Sequence, residues 1–310
     1  EVTRLKNFND ETLPNLIRLI KSGLDTANFT EKHQSLGGID PFANALEISC
    51  STQDTSIGAS ELIYLVKSFE AQHLQHLCYG SSIAKTTTLS FHVKSNLTGT
   101  FSVGLVTQDG TARNIGSTYT IDSANTWEKK TITFVGDPSA TINNDNGHGL
   151  DMTFILAAGS NWTGTANSSW ANYAGGRLAH GHNVNIASST SNEFYITGIQ
   201  WELGDVATPY KHETFGENAR RCQRYFRQVG TIRHQGANGD PCGQIIPLEP
   251  PMRAEPTVAG TNSTGGSHSI AGTGDFPNTQ IVYSGTAATS SSTAFIQFTG
   301  VTANAEVSGT

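Results

Sequence analysis

Short runs with an apolar residue at every second position recur along the middle of the chain, and this alternation constrains the fold more than any other feature. Leu89, Phe91 and Val93 alternate with polar residues, and the pattern returns at 101–105 and 152–156. A period of two places one side of each run against a core and the other toward solvent, as in a half-buried β-strand. The runs therefore predict antiparallel strands.

Turn-forming residues separate these runs and support a β-rich fold. Gly, Pro, Asn and Asp occupy the intervening segments, for example 97–99, 108–110 and 135–138. Charged residues make up 15% and hydrophobic residues 36% of the chain, and Gly, Ser, Thr and Asn fill the difference. This composition favours strands and turns over helices. A mainly β protein built around an antiparallel β-sandwich is predicted.

Two short segments have helical spacing instead. Between Asp10 and Leu24, apolar residues recur at steps of three and four, which predicts a short N-terminal helix. This helix would either cover a sheet edge or attach the subunit to a larger assembly. The segment from Gly216 to Arg227 also carries a helical stripe, which predicts a helix that links two modules. The apolar residues of the first stripe are Leu13, Leu16, Ile17, Ile20 and Leu24.

The remaining patterns predict how the chain is divided. Residues 194–203 form the predicted closing strand of the sandwich, with Tyr195, Thr197, Ile199, Trp201 and Leu203 on one face. Prolines and short apolar runs then predict a second, smaller β module. The predicted parts are an N-terminal helical attachment segment at 1–30, a sandwich at 31–210, a linking helix at 211–228 and a C-terminal β module at 229–310.

Charge, apolar run length and cysteine spacing limit the partners and the cross-links that are expected for this chain. The formal net charge is −7, so no broad basic surface is available for nucleic acid. No apolar run approaches the roughly 20 residues that cross a bilayer, so membrane insertion is not expected. Four cysteines without a CxxC pair predict buried free thiols, with a disulfide framework as the alternative. They are Cys50, Cys78, Cys222 and Cys242.

Residues 199–226 read IQWELGDVATPYKHETFGENARRCQRYF. This segment resembles one that recurs in tail-fibre and other appendage proteins of tailed bacteriophages. There, a closing strand with a Leu-Glu pair is followed by Gly, by Ala-Thr-Pro with an aromatic residue, and by a Gly-Glu helix carrying Cys-Gln-Arg-Tyr. The segments 126–132 and 251–258 agree with the same family. The matching positions are Glu202, Gly204, Ala207, Thr208, Pro209, Tyr210, Gly216, Glu217, Cys222, Gln223, Arg224 and Tyr225.

The resemblance, which covers about residues 85–258, implies a jelly-roll-like sandwich similar to carbohydrate-binding modules. It further implies a non-enzymatic virion structural protein, a tail-fibre or appendage subunit that is homotrimeric and contacts other virion proteins. One alternative is a head or neck decoration protein that clamps other virion proteins. Alternatives in other classes are a glycan depolymerase and a free carbohydrate-binding module of a bacterial enzyme. Physically, the shared segment is interpreted as a structural joint formed by Trp201, Gly204, Pro209, Cys222 and Tyr225.

The segment 161–185 is the predicted ligand-binding region. Trp162, Trp170 and Tyr173 lie among small polar residues, and His180 follows. Exposed aromatic rings stack on the apolar faces of sugars, and a histidine can supply a hydrogen bond, so this region predicts a host-surface glycan site. In the alternative interpretation, the indoles fold back as anchors of the loop.

Catalytic and metal sites are not predicted. The Asn- and Asp-rich segment from Asp137 to Gly149 offers oxygen ligands for calcium, but it lacks the EF-hand pattern, and a polar turn is favoured. A glycosidase needs two facing carboxylates, and Glu202, Asp205 and Glu213 are interpreted as ordinary residues near a strand end. No cofactor is expected.

Overall fold

The computed structural model describes residues 3–4, 17–23, 27–35, 39, 42–212, 214–236, 241–262, 268–272, 280–286 and 294–305. The chain divides into two compact units, the larger built chiefly from Asn15–His212 and the smaller chiefly from Glu213–Val307. Among the described residues, no helix is long and apolar enough to cross a membrane.

The larger unit is built from β-strands with short helical turns between them. Its strands are β1 Thr3–Arg4, β2 Arg18–Ser22, β3 Asn28–Ser35, β4 Asn44–Thr52, β5 Leu62–Glu70, β6 Thr87–Ser95, β7 Gly99–Thr107, β8 Arg113–Ile121, β9 Glu128–Phe134, β10 His148–Ala158, β11 Ala171–Asn172 and β12 Glu193–Leu203. Helix α1 is Ser160–Thr163, and 3-10 turns lie at Ala71–Leu77, Gly175–Arg177 and Ile186–Ser188.

These strands form two antiparallel sheets. The first has the order β3-β4-β12-β6-β9, with β1 also paired to β12, and the second has the order β11-β8-β7-β10-β5-β2. One buried cluster takes side chains from both sheets, and the Phe91 and Phe154 rings meet edge to face at 5.3 Å. The predicted mainly β, antiparallel sandwich is confirmed, because the alternating apolar residues at 89–93, 101–105 and 152–156 are its core.

The predicted N-terminal helix is wrong where the structure describes it. Residues Arg18–Ser22 form β2, which pairs antiparallel with β5 and places Ile20 opposite Tyr64. Ile17 and Leu19 pack toward the core, so the segment has strand alternation as well as helical spacing. The edge of β5 that faces away from β10 supplies backbone hydrogen-bond partners for this segment. Pairing with β5 therefore outweighs the helical spacing of its apolar residues. Asp10, Leu13, Leu16 and Leu24 lie outside the described residues.

A β-bulge in β12 changes which residues face the core. The pairing with β6 shifts between Thr197 and Gln200, and Gly198 has a φ of +59°. Strand parity reverses across such a bulge. Ile199 and Trp201 are therefore in the core, whereas Thr197 donates its hydroxyl to the Asn44 carbonyl at 2.7 Å. The predicted single face of 195–203 is wrong for this reason, since Tyr195 and Thr197 lie on the opposite face.

The smaller unit contains one helix and two three-stranded sheets among its described residues. Helix α2, Phe215–Cys222, begins with a capping box in which the Thr214 hydroxyl accepts from the Glu217 N–H. The sheets have the orders β13-β18-β15 and β14-β17-β16. The strands are β13 Phe226–Gly236, β14 Pro241–Pro247, β15 Thr257–Asn262, β16 His268–Gly272, β17 Gln280–Thr286 and β18 Ala294–Asn304.

Candidate functional site

A groove of about 460 Å³ lies on the outer face of the sheet that contains β5, β7 and β10. Alternation along each strand creates this face, because Leu65 and Phe154 point into the core and their neighbours point outward. The lining residues are Arg18, Ile20, Lys21, Ser22, Tyr64, Val66, Val106, Gln108, Ala112, His148, Asp151, Thr153, Tyr173 and Leu178.

Two tyrosines provide the aromatic surface of the groove. Tyr64 is half-buried on β5, and Tyr173, 42% exposed, directly follows β11. The backbone N–H of Tyr173 donates to the Ala112 carbonyl at 2.8 Å, which fixes the residue beside β8. Burial raises the pKa of both phenols, and for Tyr64 the charges of Asp151 and Tyr173 raise it further. Both hydroxyls are therefore protonated donors at neutral pH.

A hydrogen-bond network centred on Asp151 forms part of the groove lining. One carboxylate oxygen accepts from the Ser68 hydroxyl at 2.5 Å and lies 2.7 Å from His148 Nε2. The other accepts from Gln108 Nε2 at 2.9 Å. The network holds the Gln108 and His148 side chains in place at the groove surface, where they offer hydrogen-bonding groups of fixed orientation.

The predicted aromatic residues separate into two roles. The Trp162 indole N–H donates to the Ser60 carbonyl at 3.0 Å, and the Trp170 indole N–H donates to the Val135 carbonyl at 2.7 Å. Both rings are half-buried and pack against apolar clusters, the geometry of loop anchors. Tyr173 is the member of the predicted set that lines the groove.

The predicted His180 and the nearby His182 occupy different environments. His180 is half-buried, with Nδ1 3.3 Å from the Thr163 carbonyl oxygen. His182 is buried, with Nε2 2.7 Å from the Val184 carbonyl oxygen. Within the part of the chain that the structure describes, no group of three or more His, Cys, Asp or Glu side chains is arranged to hold a metal ion.

The acidic residues of the segment 137–149 are engaged within the protein. Asp137 is fully buried, and its carboxylate pairs with Arg113 Nε at 2.6 Å and accepts from the Ser139 N–H at 3.0 Å. Asp145 accepts from the Gly147 N–H at 2.8 Å. Asp137 therefore links this segment to β8 through Arg113, and Asp145 closes a local turn at Gly147.

Glu202 is a structural residue of the larger unit. It is 5% exposed, and its carboxylate accepts from the Thr208 N–H, the Thr208 hydroxyl and Gln200 Nε2 at 2.8, 2.6 and 3.0 Å. Asp205 is exposed, and Glu213 lies outside the described residues. Asp151 is the carboxylate that the described groove lining supplies, whereas glycoside hydrolysis uses two.

The residues of the predicted joint are distributed over both units. Trp201 is 2% exposed in the sandwich core, 5.2 Å from the Phe69 ring. Gly204 has a φ of +102°, a conformation that side chains disfavour, and Pro209 is exposed. In the smaller unit, Cys222 is a buried cysteine that is not part of a disulfide, and Tyr225 is half-buried.

The other cysteines also carry free thiols where they are described. Cys50 is buried and Cys78 is partly exposed. The side chain of Cys242 lies outside the described part.

Solved structures similar to this chain include a phage tailspike domain and carbohydrate-binding modules. The enzymatically active domain of tailspike protein 4 of bacteriophage CBA120 matches 61% of this chain and 20% of that chain, at 12% identity and a TM-score of 0.34. The chain thus spans about a fifth of that domain. A family 11 carbohydrate-binding module of a Clostridium thermocellum cellulosomal cellulase matches 67% of this chain and 98% of that chain, at 12% identity and a TM-score of 0.35.

A second Clostridium thermocellum family 11 module, solved with a β-1,3-1,4-mixed-linked tetrasaccharide, matches 64% of this chain and 93% of that chain, at 13% identity and a TM-score of 0.35. No protein-family model and no curated protein matches the sequence.

Sequence reasoning missed most of the groove. Its lining comes from segments spread between residues 18 and 178, and each contributes one or a few side chains. The outward positions of the alternating strands were the available signal, because Tyr64, Val106 and Asp151 occupy them.

Proposed function

We propose that this chain is a glycan-binding subunit of a virion appendage, a tail fibre or related organ of a tailed phage. In this proposal, host-surface carbohydrate binds in the groove that Tyr64 and Tyr173 line. The observation that carries it is the composition of the groove, which combines two accessible aromatic rings with fixed polar side chains.

This composition suits a sugar ring. The C–H groups on one face of a pyranose pack against an aromatic ring, while its hydroxyls need planar hydrogen-bonding partners around the edge. Tyr64 and Tyr173 supply the aromatic rings, and Gln108 and His148 supply the hydrogen-bonding groups. Val66 and Thr153, which face each other across β5 and β10, add a floor of small β-branched side chains.

The placement in a virion is supported by the sequence of residues 199–226, which resembles tail-fibre and appendage proteins. Contacts with other virion proteins and a homotrimeric state are part of the same proposal. A head or neck decoration protein would instead use this surface, or the segment 161–185, to clamp another virion protein.

Binding to polysaccharides from the surfaces of candidate bacterial hosts tests the proposal. We expect the full chain to bind one of them, and Tyr64→Ala and Tyr173→Ala each to lower the affinity at least about tenfold, equivalent to 1.4 kcal/mol. Trp127→Ala is the matched control, because Trp127 is a half-exposed aromatic residue that precedes β9 and lies near Lys94 and Tyr195 of the other sheet.

Two results would count against the proposal. Unchanged affinity in both tyrosine variants would show that the groove is not the binding site. Release of oligosaccharides during the incubation would instead assign the chain to the glycan depolymerases.

A further inference from the structure

The groove is locally cationic, although the whole chain carries a formal net charge of −7. Its described lining contains Arg18, Lys21 and Asp151 as charged side chains, with His148 as a titratable neighbour. Both cations come from β2, whereas the Asp151 carboxylate comes from β10.

The charged side chains of the groove differ in the contacts that they already make within the protein. The Asp151 carboxylate already contacts Ser68, Gln108 and His148 through its two oxygens. Lys21 Nζ donates to the Ala27 carbonyl at 2.8 Å and to Asn28 Oδ1 at 3.0 Å. By contrast, no carboxylate among the residues that the structure describes forms an ion pair with Arg18.

Arg18 lies beside the aromatic surface. Arg18 on β2 lies opposite Val66 on β5. Ile20, two residues further along β2 and on the same face, lies opposite Tyr64. Burial raises the pKa of Tyr64, and the Arg18 charge partly offsets that effect, so the guanidinium acts on the phenol electrostatically. A sugar ring on Tyr64 would therefore have a planar array of N–H donors next to its edge.

We propose that the glycan bound here is acidic, with sugar carboxylates that pair with the Arg18 guanidinium. This inference rests on the proposed function, because it names the ligand class of the same groove. A guanidinium binds a carboxylate through two parallel hydrogen bonds, a geometry that a neutral hydroxymethyl group does not reproduce.

Matched polysaccharide pairs test the inference on the full chain. Polygalacturonate, alginate and hyaluronan are each compared with their carboxyl-reduced forms, which keep the linkage and lose the charge, and dextran sulfate is compared with dextran. We expect at least one uronic-acid polymer to bind, and its reduced form to bind at least about tenfold more weakly. Arg18→Gln should remove this difference, and Arg18→Lys should keep only part of it.

Lys129→Gln is the control, because it removes an exposed positive charge from β9 in the other sheet and should leave the difference intact. Equal binding of native and reduced polymers, unaffected by Arg18→Gln, would overturn the inference and leave the glycan groove standing. Stronger Arg18-dependent binding of dextran sulfate than of any uronic-acid polymer would overturn the carboxylate assignment. Absence of binding to every one of these polymers would overturn the acidic-ligand inference, whereas binding to the host-surface polysaccharides tests the proposed function separately.

Discussion

Thr208 donates its hydroxyl hydrogen and its backbone N–H to the two oxygens of the Glu202 carboxylate, at 2.6 and 2.8 Å. Glu202 is the second-last residue of the closing strand, and Thr208 belongs to the Ala-Thr-Pro sequence that follows. The buried carboxylate thus fixes the path of the chain after it leaves the sheet. A Gly at 204 is needed between them, because φ there is +102°.

Thr208→Val should destabilise the larger unit by about 1–2 kcal/mol, since it removes a charge-assisted hydrogen bond to a buried carboxylate and keeps the side-chain shape. Denaturant unfolding measures this loss. Thr208→Ser, which retains the hydroxyl, should change stability by less than about 0.5 kcal/mol. Equal effects of the two substitutions would exclude the hydrogen bond as the cause.

Arg177 is the structural centre of the segment that carries Tyr173. It is 9% exposed, and its guanidinium donates to Asn114 Oδ1 at 3.0 Å, to the Ala166 carbonyl at 2.6 Å and to the Ser169 carbonyl. Arg177→Met should destabilise the protein by about 3 kcal/mol, because the buried Asn114 side chain and two partly buried carbonyls lose a charged donor. It should also increase hydrogen exchange across 160–178. Arg220→Met, on an exposed position of α2, is the control and should leave both unchanged.

Gly198 is required by the bulge in β12. Its φ is +59°, and a Cβ placed there would lie 2.4 Å from the Phe42 ring. Gly198→Ala should therefore cost at least about 2 kcal/mol in unfolding free energy. In the double variant with Phe42→Ala, part of this cost should disappear, because the clash is removed. Strictly additive effects of the two substitutions would contradict the contact.

Stability should fall with acidification because of His182. Burial lowers its pKa from the ordinary 6.5 to about 4. Above pH 6.5 the His182 side chain is neutral in both the folded and the unfolded chain. Between pH 6.5 and pH 4 it gains a proton in the unfolded chain but not in the folded chain. The resulting loss is on the order of 3 kcal/mol across that window. Unfolding measured from pH 7 to pH 4 should show a shallower decline for His182→Gln, and an identical pH dependence would refute this account.

The strands were predictable because burial of one sheet face leaves a period-two pattern in the sequence. Phe91, Phe101 and Phe154 follow that pattern and are core residues. The Gly198 bulge reverses it, and nothing in the spacing of 194–203 indicates where the extra residue lies. Residues 17–22 carry both helical and strand spacing, and the pairing with β5 decides between them.

The candidate site was harder to predict from the sequence than the strands were. Tyr173 was identified because it is an aromatic residue in a polar segment. Trp162 and Trp170 share that description, yet their indole N–H groups bond to backbone carbonyls of distant segments. The distinction depends on which carbonyl lies within reach, a property of the tertiary structure. Arg18 and Tyr64 become neighbours only through the register of β2 on β5.

Hydrogen–deuterium exchange of the full chain, with and without a host surface polysaccharide that it binds, tests the groove assignment most directly. Binding in the groove should increase protection at 17–22, 62–68, 104–113, 148–153 and 171–178, the segments that contain the groove lining. Protection confined to 126–134 and 193–203 on the other sheet, or to the smaller unit, would contradict it.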